Sequence, residues 1–294
     1  MIKVYLVCHH FKEGDVFTIR LNVAPIDDLK LHEEIIEPAL VKLTEALKES
    51  TFLWHPIITD DKHMVVLDGM HRVCALQRLN YKYIVTAQID YFHPSVKVCN
   101  WYRVFCIEGD TTKLRDMVSR WLRGEGYEYS LTSLEDLRRG LGKGELSIGL
   151  VFKDLTVLGI ASGKDIVEKY RIVARIDELF KRTGAEVSYC AEDEALRLIR
   201  EGKATVIEAT PPVSKQDVIQ TALAGRLFPP KTTRHIIPVR PLFINFPLKF
   251  LRGGSLTLAN KLLSKMLSSK LLLKVRGRIS VDRLYEEDFL YIFI

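Results

Sequence analysis

The chain has 294 residues, 47% hydrophobic and 27% charged, enough to bury a sizeable core and to form two domains. No apolar run approaches a membrane span, and Val4 to Cys8 meets His9, His10 and Lys12 too soon for a secretory signal. The formal charge of +6 sits wholly in the tail, where from Arg240 onward ten basic residues face four acidic ones, so the balanced body offers no general nucleic-acid surface. Five scattered cysteines without CxxC spacing fit buried thiols in a reducing cytoplasm. Scarce Gln and Asn beside plentiful Lys, Arg and Glu point to a thermophilic source.

In chain order, residues 2–8 read as a strand and Glu13-Gly14-Asp15 as a turn into a second strand, Val16 to Leu21. The stretch VAPIDDLKLHEE then leads to a helix expected from about Glu33 to Glu49, with Ile36, Leu40, Leu43 and Leu47 inward. Glu33 falls in its first turn, where a carboxylate suits the helix dipole; a plain surface carboxylate is the alternative. Thr51 to Thr59 reads as one strand through Trp54 and Pro56, and Asp60-Asp61-Lys62 as a hairpin turn.

The centre of the sequence is VVLDGMHRVCALQRL, Val65 to Leu79. A strand turns at Asp68-Gly69 into a helix with apolar Val73, Leu76 and Leu79. Such a turn aims backbone N–H groups and a positive dipole end at one place, which suits a phosphate. Gly69 permits close approach, His71 and Arg72 add donors, and Asp68 can orient a hydroxyl or hold a metal through its water shell.

A strand from Ile84 to Tyr91 and an edge strand from Val96 to Tyr102 follow, then an Asp110-capped helix ending near Gly124. The second region reads as a small α/β unit. It contains a short helix near Leu134 to Leu141, a hairpin of Leu146 to Phe152 with Thr156 to Ile160, and two further helix–strand pairs up to Ala209. Gly140-Leu141-Gly142-Lys143-Gly144 matches no phosphate-loop pattern and reads as a turn. Ser214 caps a helix from Lys215 to Ala224. The proline-stiffened loop Phe228 to His235 carries Lys231, Thr232, Thr233, Arg234 and His235, a set suited to phosphate or carboxylate. In the tail, Leu258, Leu262, Leu263, Met266 and Leu267 form one helix face and Lys261, Ser264, Lys265 and Ser268 the other. This helix is expected to pack on the body or on a second subunit, as in a homodimer; a membrane-surface or acidic-partner contact is the alternative. Phe289 to Ile294 is an apolar strand that needs a partner.

Taken together, VAPIDDLKLHEE, the Trp54/Pro56 strand and the DGMHR turn resemble the ParB/sulfiredoxin-like superfold. Sulfiredoxins place a redox cysteine where this chain has Met70, and ParB proteins carry Gly-Glu-Arg-Arg and a following helix-turn-helix. The chain most resembles the archaeal free L-serine kinases. It matches their His-Glu pair at His32-Glu33, their Asp-Gly-His-His-Arg turn except at Met70, their Trp-Tyr pair at Trp101-Tyr102, and their Pro-Lys-Thr-Thr-Arg-His loop at Pro230 to His235. The resemblance spans roughly residues 15–240 by this motif count.

That resemblance implies an α+β fold: a ParB/sulfiredoxin-like domain (1–109) binding nucleotide and phosphate and a small α/β domain (110–240) with a closing loop (228–236). The basic amphipathic helical C-terminal extension (241–294) is read from its own pattern and has no counterpart in the resemblance. The resemblance implies transfer of a phosphoryl group from ATP or ADP to the hydroxyl of L-serine, with Mg²⁺, at a site between the domains. Glu33 would be the general base, Asp68 would orient the hydroxyl or the Mg²⁺ shell, and Gly69, Met70 (through its backbone), His71 and Arg72 would cradle phosphate. Trp101, Thr232, Thr233, Arg234 and His235 would bind substrate. The alternative is a ParB-like nucleotide-dependent DNA-binding or regulatory protein without turnover; the neutral body and the absent helix-turn-helix speak against a specific nucleic-acid partner.

Overall fold

The computed structural model describes residues 4–12, 14–277, 279–280, 284–285 and 287–294. Residues 2 and 3 of the first expected strand, Glu13 of the expected turn, and Arg278, Asp282, Arg283 and Glu286 of the charged tail lie outside them. The chain forms two compact units: residues 1–97 with 218–227 and 235–294, and residues 98–217 with 228–234. Among the described residues no helix is long and apolar enough to cross a membrane.

The first unit is built on a five-stranded sheet of β1 (Tyr5–His10), β2 (Val16–Pro25), β3 (Ile57–Asp60), β4 (Val66–Asp68) and β5 (Tyr83–Ile89), in the order β1-β2-β5-β3-β4. β3 runs parallel to β5 and the other pairs are antiparallel. The alternation of VFTIRLNV buries Phe17, Ile19, Leu21 and Val23 at every second position, the period of a strand with a core side. Its helices include α1 (Glu37–Glu49), which packs against α2 (Met70–Arg78).

Two local expectations change here. The first helix begins at Glu37, not Glu33: Pro38 occupies its first turn, and Ile36 before it is extended with ψ 104°. Glu33 therefore lies in an extended segment and is buried at 7% exposure rather than sitting on a helix surface. The stretch Thr51 to Thr59 is two strands, Phe52–Leu53 and Ile57–Asp60, interrupted across Trp54, His55 and Pro56. Proline lacks the N–H that a continuous ladder requires.

The second unit is an antiparallel six-stranded sheet of β6 (Tyr102–Cys106), β7 (Glu128–Leu131), β8 (Ile148–Phe152), β9 (Val157–Ala161), β10 (Glu186–Cys190) and β11 (Val206–Ala209). The order is β10-β6-β11-β8-β9-β7, with α3 (Thr111–Gly124), α4 (Leu134–Lys143), α5 (Ile166–Lys181) and α6 (Glu192–Arg200) around it. The strand Tyr102–Cys106, read in sequence only as the end of an edge strand, is interior because both β10 and β11 pair with it. This draws residues 98–109 into the second unit, where the sequence reading places them in the first. Gly140 to Lys143 form the last turn of α4, closed by left-handed Gly144, rather than a turn of their own. α7 (Lys215–Leu223) begins with Ser214 and Asp217 bonded reciprocally, the side chain of each taking the other's backbone N–H.

Residues after 240 belong to the first unit rather than standing apart. β12 (Val239–Leu242), β13 (Leu272–Arg276) and β14 (Phe289–Phe293) form a small sheet in which β14 is central, parallel to β12 and antiparallel to β13. The terminal apolar strand thus finds its partners within the chain. α8 (Leu256–Ser269) packs on β1 and β2, but through Ala259, Asn260, Leu263, Ser264 and Leu267; Leu258 stays 59% exposed. The buried stripe is rotated from the one the leucines suggest because Asn260 bonds the edge of β2's backbone. Its Oδ1 accepts from Val23 N–H at 2.8 Å and its Nδ2 donates to Val23 O at 3.0 Å. Asn260→Leu would leave both backbone groups buried without this partner, and we expect a loss of about 2–3 kcal/mol in urea unfolding. A change below about 0.5 kcal/mol would remove Asn260 from the docking of α8.

Candidate active site

The turn between β3 and β4 is fixed by buried Asp60, whose Oδ1 accepts from Val65 N–H at 2.6 Å. Its Oδ2 accepts from His63 N–H and His63 Nδ1, each at 2.9 Å. β4 then ends at Asp68, and Gly69, with φ +98°, starts α2 from the left-handed region. Arg72 N–H and Val73 N–H donate to Gly69 O at 2.9 and 3.1 Å. A Cβ at Gly69 would stand 2.6 Å from Ile57 Cγ2 and 2.9 Å from Arg72 Nη2, so both backbone angle and space demand glycine. Met70 and His71 are the first two residues of the helix, so their N–H groups lie at its positive end whatever their side chains.

Histidines line the same strand. Lys30 runs beside Met64 and Val66, donating its N–H to Met64 O and accepting from Val66 N–H at 3.1 and 2.9 Å. Two residues on, fully buried His32 donates from Nδ1 to Val66 O at 2.8 Å. That bond fixes the tautomer and leaves a lone pair on Nε2, which lies 4.0 Å from Glu33 Oε1. Burial pushes the His32 pKa down to about 4, so the ring is neutral at pH 7. His235 meets His32 edge to face, with centroids 5.4 Å apart. Burial first, and the neighbouring His32 second, push its pKa down to about 3, opposed by the Asp68 carboxylate and, less, by a hydrogen bond to the Leu67 backbone. Its Nε2 lies 2.8 Å from the Tyr91 hydroxyl, which burial keeps protonated and so a donor. His71 Nε2 accepts from the N–H of Ile36, just before α1, at 3.2 Å.

The unfolded chain protonates each buried ring near pH 6.5, the folded chain only near 4 and 3. Between those values the unfolded state binds more protons, so each unit by which the pH drops costs about 1.4 kcal/mol of stability per histidine. The thermal midpoint is expected to be level above pH 6.5 and to fall steadily towards pH 4. A midpoint at pH 5 equal to that at pH 7 would show that the rings are not held neutral.

Asp68 Oδ2 accepts from two guanidinium groups, Arg72 Nη2 at 2.9 Å and Arg240 Nη1 at 2.8 Å. Arg72 also donates through Nη1 to His55 O and Pro56 O at 3.0 and 2.6 Å, so its fork braces the turn as well as charging it. Arg240, counted in sequence as one of the tail's cations, is buried and its Nε donates to buried Glu287. Neither Arg240 nor Glu287 stands out in the sequence; the one available signal is a lone arginine inside the apolar run around Pro241. Tyr91 was legible only as the end of a strand.

The remaining expected residues lie in the second unit. Trp101 Nε1 donates to Thr233 O at 3.1 Å, and the Arg234 guanidinium stacks over the Trp101 ring at 5.0 Å. The Trp101 carbonyl accepts from Arg103 Nη1 at 2.8 Å and Thr210 Oγ1 at 3.0 Å. Thr232 is fully buried and its hydroxyl donates to Pro229 O at 2.8 Å, closing the loop on itself. The first unit therefore brings together Glu33, Asp68, Gly69, Met70, His71, Arg72 and His235, and the second holds Trp101, Thr232, Thr233 and Arg234.

No family model matches the chain. It is 32% identical over 235 residues to an ATP-dependent L-serine kinase of Staphylothermus marinus, covering 77% of this chain and 89% of that protein. It is 28% identical over 233 residues to the ADP-dependent L-serine kinase SerK of Thermococcus kodakarensis, covering 76% and 90%. Among solved structures, a free serine kinase mutant in complex with AMP superposes with a TM-score of 0.69 at 26% identity, covering 79% of this chain and 94% of that one.

Proposed function

The chain belongs to the family of nucleotide-dependent free L-serine kinases, and on that premise we propose how its own residues carry the reaction. The protein transfers a phosphoryl group from ATP or ADP to the hydroxyl of free L-serine, giving O-phospho-L-serine. Glu33 is the general base. It takes the hydroxyl proton while the serine oxygen bonds to the terminal phosphorus in line with the breaking bond to the bridging oxygen, and the shortened nucleotide leaves. The observation that carries this reading is a carboxylate at 7% exposure beside the Nε2 lone pair of His32. Because His32 is neutral, its ring adds no positive charge beside Glu33.

The phosphates are taken by the start of α2, with Gly69 allowing close approach and the backbone of Met70 and His71 donating. Acting through the backbone, Met70 stands in for a histidine without loss. Arg72 holds Asp68 and the turn in place and adds positive charge from a fixed position. Trp101, Thr233, Arg234 and His235 are the substrate-side candidates, and Thr232 shapes their loop.

The family chemistry implies Mg²⁺. The donors present fit an ion carried by the nucleotide phosphates rather than one caged by protein: among the described residues no group of three or more His, Cys, Asp or Glu could hold a metal. Asp68, with two guanidinium groups on one oxygen, would meet such an ion through its water shell. When bound, Mg²⁺ neutralises phosphate charge. The cysteines are free thiols, which suits the reducing cytoplasm of this reading, but they are not buried as expected: Cys8 and Cys106 are exposed and Cys74, Cys99 and Cys190 half-buried.

The test is ³¹P NMR of the protein with Mg²⁺ and L-serine, in parallel samples with ATP and with ADP. A phosphoserine resonance in either sample supports the assignment and names the donor. None in both samples, with nucleotide still bound, removes it.

A further inference from the structure

Asp68 is held by more than its own turn. Its Oδ2 accepts Arg72 Nη2 from the adjoining helix and Arg240 Nη1 from β12. Arg240 is in turn fixed from behind: its Nε donates to Glu287, and its guanidinium lies 5.7 Å from the Tyr285 ring centroid. A planar guanidinium gripped at Nε presents Nη1 in one direction, which lysine cannot imitate. Both side chains are nearly buried, Arg240 at 5% and Glu287 at 9% exposure, and the two guanidinium groups balance the two carboxylates. The parallel pairing of β12 with β14 sets Arg240 opposite Leu290, three residues from Glu287, so the geometry is built into the tail's sheet.

We infer that Arg240 and Glu287 are positioning residues that aim the Asp68 carboxylate for the phosphoryl transfer, so that the C-terminal segment tunes turnover. This rests on the kinase reading, in which Asp68 orients the acceptor hydroxyl or the Mg²⁺ water shell. Arg240 stands at the edge of the stretch whose motifs resemble the kinases, and Glu287 lies well beyond it. The tail is then part of the working enzyme rather than an appendage. A merely structural ion pair would change stability alone, since buried pairs are often replaceable without loss of fold.

The test is a double-mutant cycle in the full-length protein. Turnover is followed with radiolabelled nucleotide, sensitive enough for slow variants, and nucleotide affinity by calorimetry. Arg240→Gln is expected to lower kcat by about 10- to 100-fold, Arg240→Lys and Glu287→Gln by about 3- to 10-fold, with nucleotide Kd within about threefold of wild type. In an Asp68→Asn background the same substitutions should lower kcat by less than about twofold, because their target is already gone. Losses that multiply in that background, or a Kd that weakens as much as kcat falls, overturn the inference and leave the kinase assignment standing. Wild-type turnover in Asp68→Asn alone removes Asp68 from the reaction and the inference with it. Should Arg240→Gln fail to fold, Arg240→Lys and Glu287→Gln complete the same cycle.

Discussion

Glu33→Gln is expected to lower serine phosphorylation by on the order of 10³-fold while leaving the fold and nucleotide binding intact. The substitution keeps the size and the hydrogen-bonding outline of the side chain but removes its capacity to accept the hydroxyl proton. The surroundings favour a clean result. Glu33 follows His32, which is anchored by its 2.8 Å bond to Val66 O, so the local backbone is held independently of the carboxylate. Turnover measured at saturating serine, with nucleotide affinity measured separately, decides the matter. A variant that phosphorylates serine at the wild-type rate would remove Glu33 from the mechanism, and a variant that loses nucleotide would assign it to binding instead.

Gly69→Val should do damage of a different kind, abolishing nucleotide affinity and lowering stability together. At φ +98° a β-branched residue is strained by about 1–3 kcal/mol before any contact is considered. Its Cβ would also overlap Ile57 Cγ2, in the adjoining strand, and the Arg72 guanidinium that bonds Asp68. The start of α2 must then move, and with it the N–H groups assigned to phosphate. Thermal unfolding with and without nucleotide measures both effects. A variant still stabilised by nucleotide to the wild-type extent would show that the phosphates do not approach this backbone.

Met70 shows how a residue that looks like a defect in sequence can be reinterpreted by position. As the first residue of α2 it contributes an N–H at the helix N-terminus, and that contribution does not depend on the side chain. His71, next to it, has its Nε2 committed to Ile36 N–H. The side-chain chemistry that the sequence assigned to the whole DGMHR turn is therefore divided: backbone at Gly69 and Met70, bracing at Arg72, and orientation at Asp68.

The elements whose cause is local are legible in the residue order alone. The alternation in VFTIRLNV, the glycine that bends Asp68 into α2, the Asp110 and Ser214 caps, and the mixed motif Pro230 to His235 each depend on neighbours a few residues away. What that order leaves open are features decided by partners distant in sequence. Glu33 is buried in a segment that runs beside β4, ahead of α1. The buried stripe of α8 follows from one asparagine bonding a backbone 237 residues away. Arg240 and Glu287 count as solvated charges in any composition, and only the parallel pairing of β12 with β14 makes them a buried pair on Asp68. Periodicity records which side of an element is apolar, whereas burial of a charge requires a counter-charge, and the tertiary structure alone supplies it.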